Sequence, residues 1–237
     1  MTRRAATILA SVALAGLAAT AEAGNRFALE PFAPEITRAF QYAAMSDELC
    51  LTELGERGVP YELVDAPAPG VGLPIRFTGP VRGVLFVPTY RAEPDPRAPA
   101  TIADCRLALA IDDAAQILAS HGVVEAEYLS MYRRGGGRPG WRHPAGRAID
   151  VATVKLGDGT VLSVRHDFYG RTGAQTCGAG AAPPRRETAG ALFWRTFVCQ
   201  LDGWGSFNLI LTPNYNWGHR DHLHLEVRSG IRWFLTQ

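Results

Sequence analysis

Two short stretches, H-P-A-G-R-A-I-D at 143–150 and H-R-D-H-L-H-L-E at 219–226, hold four of the chain's six histidines. Imidazole and carboxylate are the donors that grip zinc while leaving it enough positive charge to bring the pKa of a bound water down towards neutrality. Thiolates would blunt that Lewis acidity, so a set of two histidines and one aspartate with an open fourth position signals hydrolysis more than structure. His143 precedes Asp150 with six residues between them, and Gly146 gives that turn the freedom to fold the imidazole back onto the carboxylate. On a strand, His222 and His224 share one face while Leu223 and Leu225 take the other. If the two strands are neighbours, His143, Asp150 and one further imidazole converge on one ion. The bland readings are a surface H-x-H pair and an Asp150–Arg147 ion pair. Against them, a carboxylate between Ile149 and Val151 is costly to bury without strong compensation, which a metal supplies.

The elements that must position these groups follow from punctuation and periodicity. Ser46 to Gly58 reads as a capped helix, and Tyr61–Val64, Pro74–Phe77 and Val81–Val87 as short strands between Pro/Gly turns. Residues 89–100 form a loop, and Thr101–Asp104 leads into an apolar-periodic helix ending at Ser120. His121 is then a helix C-terminal residue before the Gly122 cap, not a ligand. Strands are predicted over 123–132, 147–156 and 160–164, the last two joined by a Gly157-Asp158-Gly159 hairpin turn. A helix over 187–201 faces Phe193, Trp194 and Phe197 inward, and strands follow at 207–211 and 222–228. The fold class expected is α+β, an antiparallel sheet carrying the histidines and flanked by helices.

Composition narrows the setting. Thr2-Arg3-Arg4, an apolar run from Ala5 to Ala19 and the small-x-small Ala21-Glu22-Ala23 read as a secretory signal peptide over 1–23, too short in its apolar core for a membrane span. Arg3-Arg4 is compatible with twin-arginine export, but any signal needs basic residues there, and ordinary secretion is the reading taken. Removing that segment takes two of 24 basic and one of 23 acidic residues, and the remainder balances. A neutral surface argues against nucleic acid as partner. The expected organisation is 1–23 leader, 24–100 an N-terminal helix and short strands, and 101–237 the core. Cys50, Cys105, Cys177 and Cys199 allow three pairings; an exported chain oxidises them in pairs, and Cys50–Cys105 with Cys177–Cys199 is favoured because each staples neighbouring elements across a Pro/Gly-rich loop.

The combination H-x-x-G-x-A-x-D (His143, Gly146, Ala148, Asp150) with H-x-x-H-x-H (His219, His222, His224) resembles the extensin-like C-terminal domain family of bacteria. That family is in turn similar to the zinc D-Ala-D-Ala carboxypeptidases, the penicillin-insensitive murein endopeptidase and the hedgehog signalling domain. The likeness spans 45–228 and includes Thr101–Cys105, Arg133, Gly157–Gly159 and Pro213–His219. It implies Zn2+ held by His143, Asp150 and His224, with His222 and His219 at the mouth of the site. One of those two would move the proton and the other would steady an oxyanion; which does which stays open. Arg133, or Arg134 in its place, is implied to face a substrate carboxylate or the oxyanion.

Departures from the family pattern are Trp141 where it writes a serine, Tyr132 where it writes a cysteine, and the lack of the carboxypeptidases' glutamate base. Among nearby acids, strand alternation points Asp221 away from His222, and Glu226 is placed to orient a histidine ring. The function expected is zinc-dependent hydrolysis of peptidoglycan peptide amide bonds by an enzyme of a Gram-negative periplasm or cell envelope, with muropeptides as partner and no membrane span. The competing reading is a non-catalytic zinc-containing envelope or peptidoglycan-binding protein; two extra imidazoles at the metal favour the enzyme.

Overall fold

The computed structural model describes residues 25–30, 33–89, 95, 97–134 and 141–237. The expected leader, 1–23, lies outside these, as does most of 90–96 within the expected loop. Among the described residues, helices α1 (Arg38–Ala44), α2 (Asp47–Glu56), α3 (Cys105–Ser120), α4 (Val164–Asp167) and α5 (Ala189–Trp204) accompany ten strands. These are β1 (Tyr61–Leu63), β2 (Pro74–Phe77), β3 (Leu85–Pro88), β4 (Ala103–Asp104), β5 (Val123–Tyr128), β6 (Ala148–Leu156), β7 (Val161–Ser163), β8 (Leu209–Leu211), β9 (Leu223–Glu226) and β10 (Leu235–Thr236). The chain is mixed α+β.

Helix limits follow from local chemistry. Ser46 Oγ accepts from Leu49 N, Asp104 from Arg106 N and Thr188 from Ala191 N, starting α2, α3 and α5. A left-handed Gly205 (φ 61°) stops α5, three residues beyond the Leu201 end predicted from periodicity. α1 was not legible, being only seven residues long; it is held by Ala39 and Tyr42 against α3. The strand expected from Val81 is shortened because Arg82 and Gly83, both at positive φ, make a tight turn that bridges Val81 to Val84.

A small sheet runs β1-β2-β4, and a larger seven-stranded one runs β10-β8-β9-β6-β5-β3, with β7 on the C-terminal half of β6. The centre of the large sheet, β8-β9-β6-β5, is antiparallel as expected. Its two edges differ, because β3 pairs parallel with β5 and β10 parallel with β8. The β3 pairing follows from the α3 crossover, since parallel neighbours need a long connection that a hairpin cannot provide.

α3 and α5 cover one face of the sheet. Leu107, Ile111, Leu118, Trp194, Phe197, Leu223 and Leu225 share one apolar cluster with Tyr42, Leu54 and Ile75 from the N-terminal segment. Cys50–Cys105 ties α2 to α3 across 55 residues, and Cys177–Cys199 ties a loop to α5 across 22. Loops of that size give about 3–4 kcal/mol per bridge in the chain-entropy account. Both bridges, the pairing expected, suit an exported chain. Among the described residues no helix is long and apolar enough to cross a membrane.

Candidate metal centre

β6 and β9 are antiparallel neighbours in a register that sets Asp150 directly opposite His224. Facing residues of such a pair hold their Cβ atoms about 5 Å apart, so the two side chains meet. Leu223 and Leu225 point into the core, while His222, just before β9, and His224 point to the Asp150 face. His143 arrives on a 3-10 turn, His143–Ala145, that Gly146 closes at φ 62°. A Cβ at Gly146 would lie 2.8 Å from Asp104 N, so that position needs both the conformation and the absence of a side chain. The residue before the turn, Arg142, is a non-glycine at φ 53°, and its N–H donates to Glu226 Oε1 at 3.2 Å. Backbone strain of this kind persists where neighbours over-determine it, and here it aims the next residue's ring.

His143, Asp150 and His224 are all buried, and their prospective ligand atoms lie within 4.8 Å of one another. Asp150 offers one oxygen to each ring: Oδ1 is 2.9 Å from His224 Nδ1 and Oδ2 is 3.1 Å from His143 Nε2. The outer nitrogens are also engaged. His143 Nδ1 faces the Met131 carbonyl at 3.2 Å and Ser130 Oγ at 3.5 Å, and His224 Nε2 faces Glu226 Oε2 at 3.4 Å. A carbonyl only accepts, so His143 carries its proton on Nδ1 and turns the Nε2 lone pair inward. That Nε2 is buried and has no hydrogen-bond partner. A lone pair aimed at a buried carboxylate is repulsive until a cation stands between them, so this donor set fits a metal ion. Met131 O and Glu226 then act as the outer partners that fix ring orientation at such sites.

The electrostatics agree with that fit. Burial alone would raise Asp150, but the two histidine rings beside it, with the His224 Nδ1 contact at 2.9 Å, outweigh it and hold the carboxyl well below its usual range. Burial opposes charge on His224, yet Asp150 and Glu226 push its pKa up to about 9. Positive charge is therefore favoured at this point of the fold.

Two further imidazoles border the cluster. His222 Nε2 lies 3.7 Å from Asp150 Oδ1, and its Nδ1 is 2.9 Å from Asp221 Oδ1. His219, on a 3-10 turn over Trp217–His219, holds Asn216 Oδ1 at 2.9 Å from its Nδ1, with ring centroids 5.1 Å from His222 and 6.0 Å from His224. Burial and the neighbouring His222 and His224 lower the His219 pKa to about 4.

The Asp221 geometry corrects the sequence reading. β9 begins only at Leu223, so Asp221 sits in the preceding turn, where strand alternation does not apply, and its carboxylate swings back onto the His222 ring. Glu226 occupies the orienting position expected of it. Arg147 pairs with Asp104 at 3.2 Å, which removes the ordinary ion-pair explanation for Asp150.

Arg133 and Arg134 have exposed side chains, and neither guanidinium makes a hydrogen bond or ion pair among the described residues. The Arg133 N–H donates to His143 O at 3.4 Å, which places the backbone, though not the charge, beside the site. Trp141 lies under the Arg228 guanidinium, 3.7 Å from its ring centroid, and buried Tyr132 donates to Pro69 O. His121 contacts Gln200 at the end of α3 and His166 is exposed on α4, both away from the cluster. Sequence reasoning missed Ser130, Met131 O, Arg142 and Asn216. Of these, only Asn216, three residues before His219 in a Gly-containing turn, carried a local signal.

Comparison with family models, with curated proteins and with solved structures finds no match to this chain.

Proposed function

We propose that the chain is a zinc-dependent hydrolase of peptidoglycan peptide amide bonds, acting outside the cytoplasm. The observation that carries the reading is the buried His143 Nε2, which lacks a hydrogen-bond partner and faces one oxygen of the Asp150 carboxylate, while His224 Nδ1 meets the other oxygen at 2.9 Å. The resemblance of the two histidine motifs to the extensin-like and murein endopeptidase families supports the same substrate class. Zinc held by His143, Asp150 and His224 would supply a water of near-neutral pKa and polarise the scissile carbonyl.

The chain's own residues divide the remaining work. His222 takes the proton at Nε2, because Asp221 accepts from Nδ1, fixes the tautomer and stabilises the imidazolium that forms. The same ring then returns the proton to the leaving amine. His219, with Nδ1 tied to Asn216, stands across the mouth and borders the reacting group. Glu226 and Met131 O hold the two ligand rings in place.

Digestion of purified muropeptides, with and without a chelator and read by mass spectrometry, tests this directly. The expected result is cleavage at one peptide amide, abolished by chelation and restored by zinc. A stoichiometric zinc in a protein that leaves every muropeptide intact would favour the non-catalytic binding reading instead.

A further inference from the structure

We infer that the arginine-lined cavity on the outer side of the Asn216–Asp221 turn is a binding site for a substrate segment carrying two or more carboxylates, an inference that rests on the hydrolase reading above. The cavity, about 760 Å³, lies between α4, the turn after it and the Pro213–Arg220 segment. Arg165, Arg171, Arg185 and Arg220 line it, with Tyr169 and Trp217, and no aspartate or glutamate does. In a chain with 24 basic and 23 acidic residues, that is a local concentration of one sign. Field lines focused in such a concavity attract and hold anions.

The charge is poised, not consumed. Arg171 and Arg185 have exposed side chains that make no hydrogen bond or ion pair among the described residues. Arg165 and Arg220 approach a single carboxylate, Asp221, only at 4.0 and 3.9 Å. The backbone that carries them is nonetheless built. Buried Asn214 accepts from Arg171 N at 2.7 Å and donates to Thr176 Oγ1 at 3.0 Å, and Arg185 N donates to Tyr169 O at 2.9 Å. A Cβ at Gly170 would lie 2.8 Å from Pro213 Cβ, so the two loops pack without room to part.

The cavity is also wired to the site. Asn216 lines it and holds His219, while Asp221 joins Arg165 and Arg220 to His222. A segment bound here therefore reaches the two imidazoles through the residues that hold them, Asn216 at His219 and Asp221 at His222. Guanidinium matches carboxylate bidentately, and four of them on separate segments suit several spaced single charges better than one compact anion. A peptide stem with free carboxylates has that distribution. A long polyanion such as a nucleic acid would need a continuous basic track, which the balanced composition argues against.

Calorimetry on the full chain, with zinc bound and with zinc removed, tests the assignment. The ligands are a tetrapeptide muropeptide with free carboxylates and the same molecule with those carboxylates amidated. The expected result is binding in both metal states that weakens about tenfold on amidation, about tenfold in an Arg171→Ala/Arg185→Ala double variant, and further with added salt. Amidation should then cost the double variant little more. Equal affinity of the amidated ligand, unchanged binding by the double variant and by a folded Arg171→Glu/Arg185→Glu chain, or tighter binding of inorganic triphosphate than of the peptide would each overturn it. Binding as described without cleavage would sink the hydrolase reading alone; cleavage with binding indifferent to the two arginines would sink only this one.

Discussion

Two groups of buried carboxylates in this molecule have opposite chemistry. On α3, Asp112 and Asp113 are sequence neighbours, both buried, and every partner is a donor. Arg82 clasps Asp112 at 2.7 and 2.9 Å, Arg38 and Arg57 reach Asp113 Oδ1 at 3.0 and 3.1 Å, and Tyr42 and Ser206 donate to Asp113 Oδ2. Guanidinium cannot shed its charge, so this network is closed and stays so at any physiological pH. On the sheet, Asp150 is equally buried but its partners are imidazoles, which carry lone pairs when neutral, and one of those lone pairs has no proton to meet. The first arrangement neutralises charge within the protein. The second leaves a place for a cation from outside, and that difference separates a structural cluster from a candidate site.

The contrast can be broken or sharpened by experiment. The largest effect expected is on metal: Asp150→Ala, His143→Ala or His224→Ala should lose the bound zinc, measured by elemental analysis of purified protein, whereas Asp113→Ala should keep it. Full zinc in the first three would remove the distinction. Next, His222→Ala should retain zinc but slow muropeptide cleavage by about 10² to 10⁴, the contribution of a general acid/base group. An unchanged rate would take His222 out of the chemistry.

Asp113→Ala should destabilise the fold by about 3–5 kcal/mol, because it leaves Arg38, Arg57 and Tyr42 facing an emptied buried site. Chemical denaturation reads this, and a change under 1 kcal/mol would mean the network contributes little. The smallest effect is that of Asp221→Asn, with cleavage falling about tenfold or somewhat more and zinc retained, as when the outer partner of a working histidine is weakened. A rate equal to wild type would show that the Asp221–His222 contact does not tune the base.

Much of the site was legible because its information is short-range. H-x-H on a strand fixes which face each residue takes, and His143-x-x-Gly146 fixes a turn, so His143, Asp150 and one of His222 and His224 could be gathered before any register was known, the choice of His224 coming from the family resemblance. Asp221 was misread because the alternation rule was extended two residues past the true strand start, a boundary that propensity does not mark. Arg142 was invisible because the partner of its backbone N–H at this positive φ is Glu226, a residue 84 positions away.

By itself, then, the sequence determined the three long helices, the hairpin turn between β6 and β7, the apolar faces and the residue types able to hold a metal. All of these follow from spacings of two to four residues and from side-chain chemistry. The tertiary structure alone decided that Asp150 stands opposite His224 across 74 residues, that both sheet edges run parallel, and that four arginines from separate segments gather around one cavity. Register between distant strands is set by packing the whole core at once, and no local preference carries that information.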